Sequence, residues 1–151
     1  MADIVSPEKR SQNMSAIRSK NTQPEVYLRK LLFAQGYRYR IADKSVPGHP
    51  DIFLRKYNTA IFVNGCFWHR HPGCKFAYTP KSRVEFWQKK FDDNVQRDAV
   101  VKAELLERGI KHLTVWECAI RRMQKDKIEE ERALAKITFF IKSNEKNAEI
   151  M

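Results

Sequence analysis

Three cysteines constrain this chain more than any other feature, because two of them frame a histidine-rich run and the third lies far downstream. The run reads Cys66-Phe-Trp-His69-Arg-His71-Pro-Gly-Cys74, and the distant thiol is Cys118. An odd number of thiols in a chain expected to be intracellular argues against a disulfide framework. Cys66, His71, Cys74 and Cys118 instead offer the soft donors that suit tetrahedral Zn²⁺. The Pro72-Gly73 turn lets His71 and Cys74 point inward together, and Cys118 follows a predicted strand that can return to the same end of a sheet. Four protein ligands leave no open coordination position, so such a site is structural and ties the loop after one strand to the end of another. The competing reading is an ordinary buried Cys118 thiol with surface histidines. His69 and His49 remain as spare imidazoles.

At 151 residues, 42% of them hydrophobic, the chain is expected to form a single domain over 1–151 with one core. No apolar run approaches the roughly 18 residues that span a bilayer, and the N-terminal residues lack the apolar core of a signal peptide. The expectation is a soluble cytoplasmic protein with no membrane partner. A net charge of +11 favours a polyanion as partner, although a basic solvated surface would carry the same charge. Residues 1–40 hold 8 basic and 3 acidic side chains, the largest excess for their length. Within them, residues 1–20 read as a basic arm, with a short helix from Ser6-Pro7-Glu8 to about Ile17.

Thr22-Gln-Pro-Glu25 is a capping-box pattern that opens a helix with Leu28, Leu31 and Leu32 inward and Gly36 at its end. Tyr37–Ile41, Asp51–Leu54 and Thr59–Val63 read as short strands, the last two as a hairpin. Ser82-Arg-Val-Glu85 is a second capping box, starting a helical stretch through Phe86, Phe91, Val95 and Ala99 to Gly109, with a break expected near Asp92-Asp93. Lys111–Trp116 reads as a strand, about Asp126 to Lys142 as a charged helix, and residues 145–151 as a frayed tail. The order predicts an α/β fold, a central mixed sheet flanked by helices.

Pro50-Asp51 precedes a strand pair in the way that many nucleases place a metal-binding carboxylate, and hard oxygen donors are what Mg²⁺ requires for phosphodiester hydrolysis. The usual sequel, an acidic residue and a Lys two places on, is missing: the corresponding segment is Val63-Asn64-Gly65. A lone Pro-Asp is more often a turn. Phe67-Trp68 sits between Cys66 and His69, where two large rings are poor candidates for simple burial and apolar wedges are a known way to open a duplex; the competing reading is ordinary core packing.

Taken together, Arg10-Ser-x-Asn13-Met14, Glu25, Pro47-Gly-x-Pro50-Asp51, Ile61-Phe-Val-Asn-Gly-Cys-Phe-Trp-His69-x-His71, Glu85-Phe-Trp87, Asn94-Val-x-Arg97-Asp98 and Val115-Trp-Glu-Cys118 resemble the very short patch repair endonucleases, nickases specific for T·G mismatches. The resemblance runs from about residue 9 to 120 and implies a restriction-endonuclease-like core of the PD-(D/E)xK type. It implies nicking of one strand 5′ of the T in T·G mismatches left by deamination of 5-methylcytosine. Asp51 would bind Mg²⁺ with the Val63 carbonyl, His69 would be the general base, and Glu25 and Asp98 would be acidic residues near the metal and its waters. The structural zinc ligands would be Cys66, His71, Cys74 and Cys118. Phe67, Trp68 and Met14 would insert beside the mismatch, with Arg10, Arg18 and Asn64 as further DNA contacts. Val63 stands where relatives carry Thr and Asn64 where a His can occur. The implied partners are mismatched double-stranded DNA, mismatch-repair proteins and a cognate cytosine methyltransferase, with the protein a monomer. The rivals are a zinc-stabilised DNA-binding module without catalysis and a restriction-type enzyme on matched duplex.

Overall fold

The computed structural model describes residues 21–151. Met14, Arg10, Arg18 and the rest of the expected basic arm lie outside the described residues. Helix α1 spans Gln23–Ala34, with Thr22 as its N-cap and Pro24 in the first turn, where a missing N–H is tolerated. The capping box is half made. Thr22 Oγ1 accepts from the Glu25 amide at 3.4 Å, but the Glu25 carboxylate reaches past Thr22 to the Asn21 amide, 2.9 Å away. Leu28 and Leu32 are fully buried on its inner face, and Leu31 packs at the margin.

Residues 37–41 do not form the expected strand. They touch the sheet through one antiparallel bridge, Arg40 to Phe53, after which Ala42 turns the chain away at φ +49°. Strands β1 (Ile52–Leu54) and β2 (Thr59–Asn64) make the expected antiparallel hairpin, turned by Asn58 in the left-handed region. β3 (Lys111–Trp116) runs parallel to β2, and β4 (Asn147–Ile150) runs parallel to β3, giving a mixed sheet in the order β1-β2-β3-β4. Three more helices complete the described fold: α2 (Val84–Glu107), α3 (Glu117–Lys125) and α4 (Lys127–Lys142).

Two expectations about α2 fail for local reasons. It starts behind Arg83, itself left-handed at φ +53°, and not from a Ser82 cap. It also runs unbroken through Asp92-Asp93, because both carboxylates point to solvent and bond one turn back, to Gln88 at 2.9 Å and Lys89 at 3.3 Å. Of the apolar residues along it, Phe91 and Leu105 are buried while Phe86 and Val95 are exposed.

One sheet face carries the main core: Ile52, Leu54, Ile61, Leu113, Val115 and Ile150 pack against α1, α3 and α4. The other face has only a small cluster, Val46, Phe53 and Ala60 under Leu105 of α2. This second face is therefore incompletely covered, and the gap between α2 and the sheet is a cleft. Gly48 lines its rim at φ +79°; a Cβ there would meet Val101 Cγ1 at 2.5 Å, so the turn before Asp51 accepts no side chain.

The expected frayed tail is instead β4. Its pairing fills the open edge of β3, and Ile150 is buried. Lys111 prepares this by donating to the carbonyls of Phe140 (2.5 Å), Ile141 (2.9 Å) and Ser143 (2.8 Å), which caps α4 and aims the chain back along the sheet.

Candidate active site and metal cluster

Register explains how the distant thiol joins the others. Asn64 pairs with Trp116 at the end of two parallel strands, so Cys66 and Cys118, each two residues further on, leave the sheet at the same end. The donor atoms of Cys66, His71, Cys74 and Cys118 all lie within 4.8 Å of one another, a group able to hold a metal ion. His71 Nδ1 is 3.5 Å from Cys118 Sγ, while its ring stacks on Trp116 at 4.3 Å between centroids. Its Nε2 faces Met151 Sδ at 3.4 Å. Burial holds the His71 imidazole below its ordinary pKa, keeping it in the neutral form that ligates, and pushes the Cys66 thiol up to about 12. A cation would resolve that second penalty, since a coordinating thiol is deprotonated outright.

A second group lines the cleft, an opening of about 1020 Å³ bordered by Glu25, Asp51, Asn64, Trp68, His69 and Asp98, among others. Asp51 precedes β1 and, by strand alternation, faces the cleft side with Phe53. Its Oδ2 accepts from the Val63 amide at 2.7 Å. Glu25, almost wholly buried on α1, comes up beside it. Burial first, and then the Glu25 charge, push the Asp51 carboxyl up to about 7, against the lowering effects of the Val63 amide and His69. Two carboxylates facing each other in a partly dry cleft repel unless a proton or a cation lies between them. This donor set of hard oxygens suits a divalent cation of the Mg²⁺ type.

Across the cleft, His69 Nδ1 lies 2.6 Å from Asp98 Oδ2 of α2. The carboxylate fixes the ring, and with Nδ1 engaged the ring's free nitrogen is Nε2. A His held by a carboxylate within reach of a carboxylate pair can take a proton from a water. The structure thus assembles Glu25, Asp51, His69 and Asp98 from α1, the turn before β1, the loop after β2, and α2. Asn64 borders the same cleft.

The two loop aromatics meet edge to face, 5.1 Å between centroids, and present different surroundings. Trp68 lines the cleft, with its carbonyl accepting from Asn94 Nδ2 at 3.0 Å. Phe67 points into an aromatic cluster, edge-on to Phe91 at 5.1 Å and to Trp87 at 5.6 Å. Arg70 organises this loop and was not singled out by sequence. Its guanidinium covers Phe91 at 3.9 Å and donates to the carbonyls of Phe67 (3.2 Å), Tyr78 (3.0 Å) and Ala77 (2.8 Å). Arg29 and Asn21 were likewise passed over, although a visible signal existed for Arg29: a cation one turn after Glu25 on the otherwise apolar face of α1.

The similarity to known proteins is extensive. The family description of DNA mismatch endonuclease Vsr matches residues 2–75. A type II nicking enzyme, V.NmeAIP of Neisseria meningitidis serogroup A, is 47% identical over 121 residues, covering 80% of this chain and 86% of that protein. The DNA mismatch endonuclease Vsr of Escherichia coli K12 is 43% identical over 125 residues, 83% of this chain and 80% of its own length. V.XorIIP, a type II nicking enzyme of Xanthomonas oryzae, is 43% identical over 120 residues.

Proposed function

Because this chain belongs to the DNA mismatch endonuclease Vsr family, we propose that it nicks one DNA strand 5′ of the T in T·G mismatches that arise by deamination of 5-methylcytosine. The observation that carries the chemistry is the meeting, in one cleft, of the Asp51–Glu25 carboxylates with the His69–Asp98 pair. Asp51 and Glu25, with the Val63 carbonyl, would hold Mg²⁺. That ion, when bound, stabilises negative charge on the phosphate under attack.

The chain's own groups do the rest. Asp98 accepts from His69 and keeps Nε2 free; His69 takes the proton of the attacking water. Trp68 and Phe67, with Met14, wedge beside the mismatched pair, which opens at less cost than a matched one. Arg10, Arg18 and Asn64 hold the flanking backbone, contacts that raise affinity without reading bases. Cys66, His71, Cys74 and Cys118 would hold a structural Zn²⁺ and so fix the loop that carries His69. Repair proteins and a cognate cytosine methyltransferase are the partners this role implies, for a monomer acting in the cytoplasm.

The test is a nicking assay on matched and T·G duplexes with and without Mg²⁺. Mg²⁺-dependent nicking of the T·G strand alone supports the reading. Equal cutting of matched DNA would make this a site-specific nicking or restriction-type enzyme, and binding without cutting would make it a DNA-binding module.

A further inference from the structure

We propose that Asn21, anchored by the buried Arg29, is a positioning residue that sets the Glu25 carboxylate against Asp51 and thereby tunes the affinity of the cleft for a divalent cation. The inference rests on the reading of Asp51 and Glu25 as a cation site.

The connections are continuous. Arg29 is 6% exposed and donates from Nη2 to Asn21 Oδ1 at 3.1 Å. Asn21 in turn donates its backbone amide to Glu25 Oε2 at 2.9 Å. Glu25 is 3% exposed and adjoins Asp51.

Three observations show that this chain is more than helix capping. In an ordinary capping box the glutamate reaches back to the N-cap amide, which here is that of Thr22. Glu25 bypasses it and bonds one residue further out, so its carboxylate is held by a residue outside the helix. Asn21 reaches that place only by adopting φ +57°, a left-handed conformation that asparagine tolerates and β-branched residues do not. Arg29 is also a costly anchor. Its Nη1 is buried with no hydrogen-bond partner among the described residues, so among those residues a large desolvation penalty is set against the contact with Asn21. Partners that hold a metal-binding carboxylate from behind typically matter 10–100-fold for metal affinity.

The experiment uses the full chain and three substitutions. Asn21→Asp keeps both the acceptor for Arg29 and tolerance of the left-handed backbone. Asn21→Gly keeps the backbone and loses the anchor. Asn21→Val loses both. Binding of Mn²⁺ alone is measured by electron paramagnetic resonance, nicking is measured across a Mg²⁺ series, and thermal melting is followed in parallel.

Asn21→Gly is expected to weaken Mn²⁺ binding about tenfold and to shift the Mg²⁺ midpoint of nicking by the same factor, with the rate at saturating Mg²⁺ within about twofold of the parent. Asn21→Val should weaken binding further, and Asn21→Asp should behave as the parent. A lowered melting temperature in Asn21→Gly with unchanged Mn²⁺ affinity would reduce Asn21 to a helix-end residue and overturn the proposal. Glu25→Gln separates the two levels. If it too leaves Mn²⁺ binding unchanged, the cation-site reading fails and takes the Asn21 proposal with it; if only the Asn21 variants are silent, the cation site stands and the proposal alone falls.

Discussion

Two donor clusters grow from the end of β2, and they differ in hardness, closure and depth. Cys66, His71, Cys74 and Cys118 are soft donors drawn tightly together, three of them buried, packed beneath Trp116 and the end of β4. Glu25, Asp51, His69 and Asp98 are oxygen and imidazole groups spread along an open cleft, with His69 and Asp98 about one-third exposed. Within six residues, from Cys66 to His71, the chain contributes to both. The difference teaches that the first cluster is built as a closed ligand set and the second as an open site. A closed set of four ligands has no room for a substrate, whereas a carboxylate pair facing a His–Asp pair leaves space for water and phosphate.

The sharpest break of that comparison is Asp51→Ala. It is expected to abolish nicking while leaving binding of a T·G duplex largely intact in a gel-shift titration, because it removes a cation ligand and no DNA contact. Retained cutting would move the catalytic centre elsewhere. Next in size, His69→Ala should lower the nicking rate by about 10²–10⁴-fold, the range for loss of a general base. Asp98→Asn should cost about 10–100-fold by loosening the ring. Both proteins should keep their full metal content by elemental analysis, since neither residue belongs to the soft cluster.

Cys118→Ala probes the other side of the comparison. Zinc should leave the purified protein, and the melting temperature should fall by about 2–8 °C, the scale of a 1–2 kcal/mol loss in a domain of this size. Full zinc and an unchanged melt would return Cys118 to an ordinary core thiol.

The gentlest test is pH. The Asp51 carboxyl is raised by burial and by Glu25 from 3.8 to about 7. The folded state therefore binds this proton more tightly than the unfolded chain. Its contribution to stability is complete below about pH 4 and is lost as pH rises through 7. In metal-free cleft conditions the melting temperature should drop by a few degrees across that window, and added Mg²⁺ should restore more at pH 8 than at pH 5. A melt insensitive to Asp51→Asn over the same range would show that the two carboxylates do not share a proton.

Much of this was legible along the chain because it rests on short-range rules. The Thr22 cap, the short strand β2, the hairpin and the charged helix α4 follow from propensity and period, and the soft donors declare themselves by type and spacing. Short-range signals mislead where two of them compete. Asp92-Asp93 reads as a break, yet each carboxylate finds a partner one turn back, and Ser82 reads as a cap although the left-handed Arg83 stands between it and the helix.

Residue type and spacing alone determined the metal-ligand candidates, the basic character and the acid before β1. Tertiary structure alone decided three things. The parallel register of β2 and β3 brought Cys118 to Cys66, 52 positions away in the chain. The same folding set Asp98 of α2 against His69, and Asn21 and Arg29 behind Glu25. It also turned a polar tail into β4, because an unpaired edge on β3 offered its backbone hydrogen bonds. The physical reason is common to all three: these contacts join residues whose separation in sequence carries no periodic or local signal, and only closure of the sheet brings them within reach.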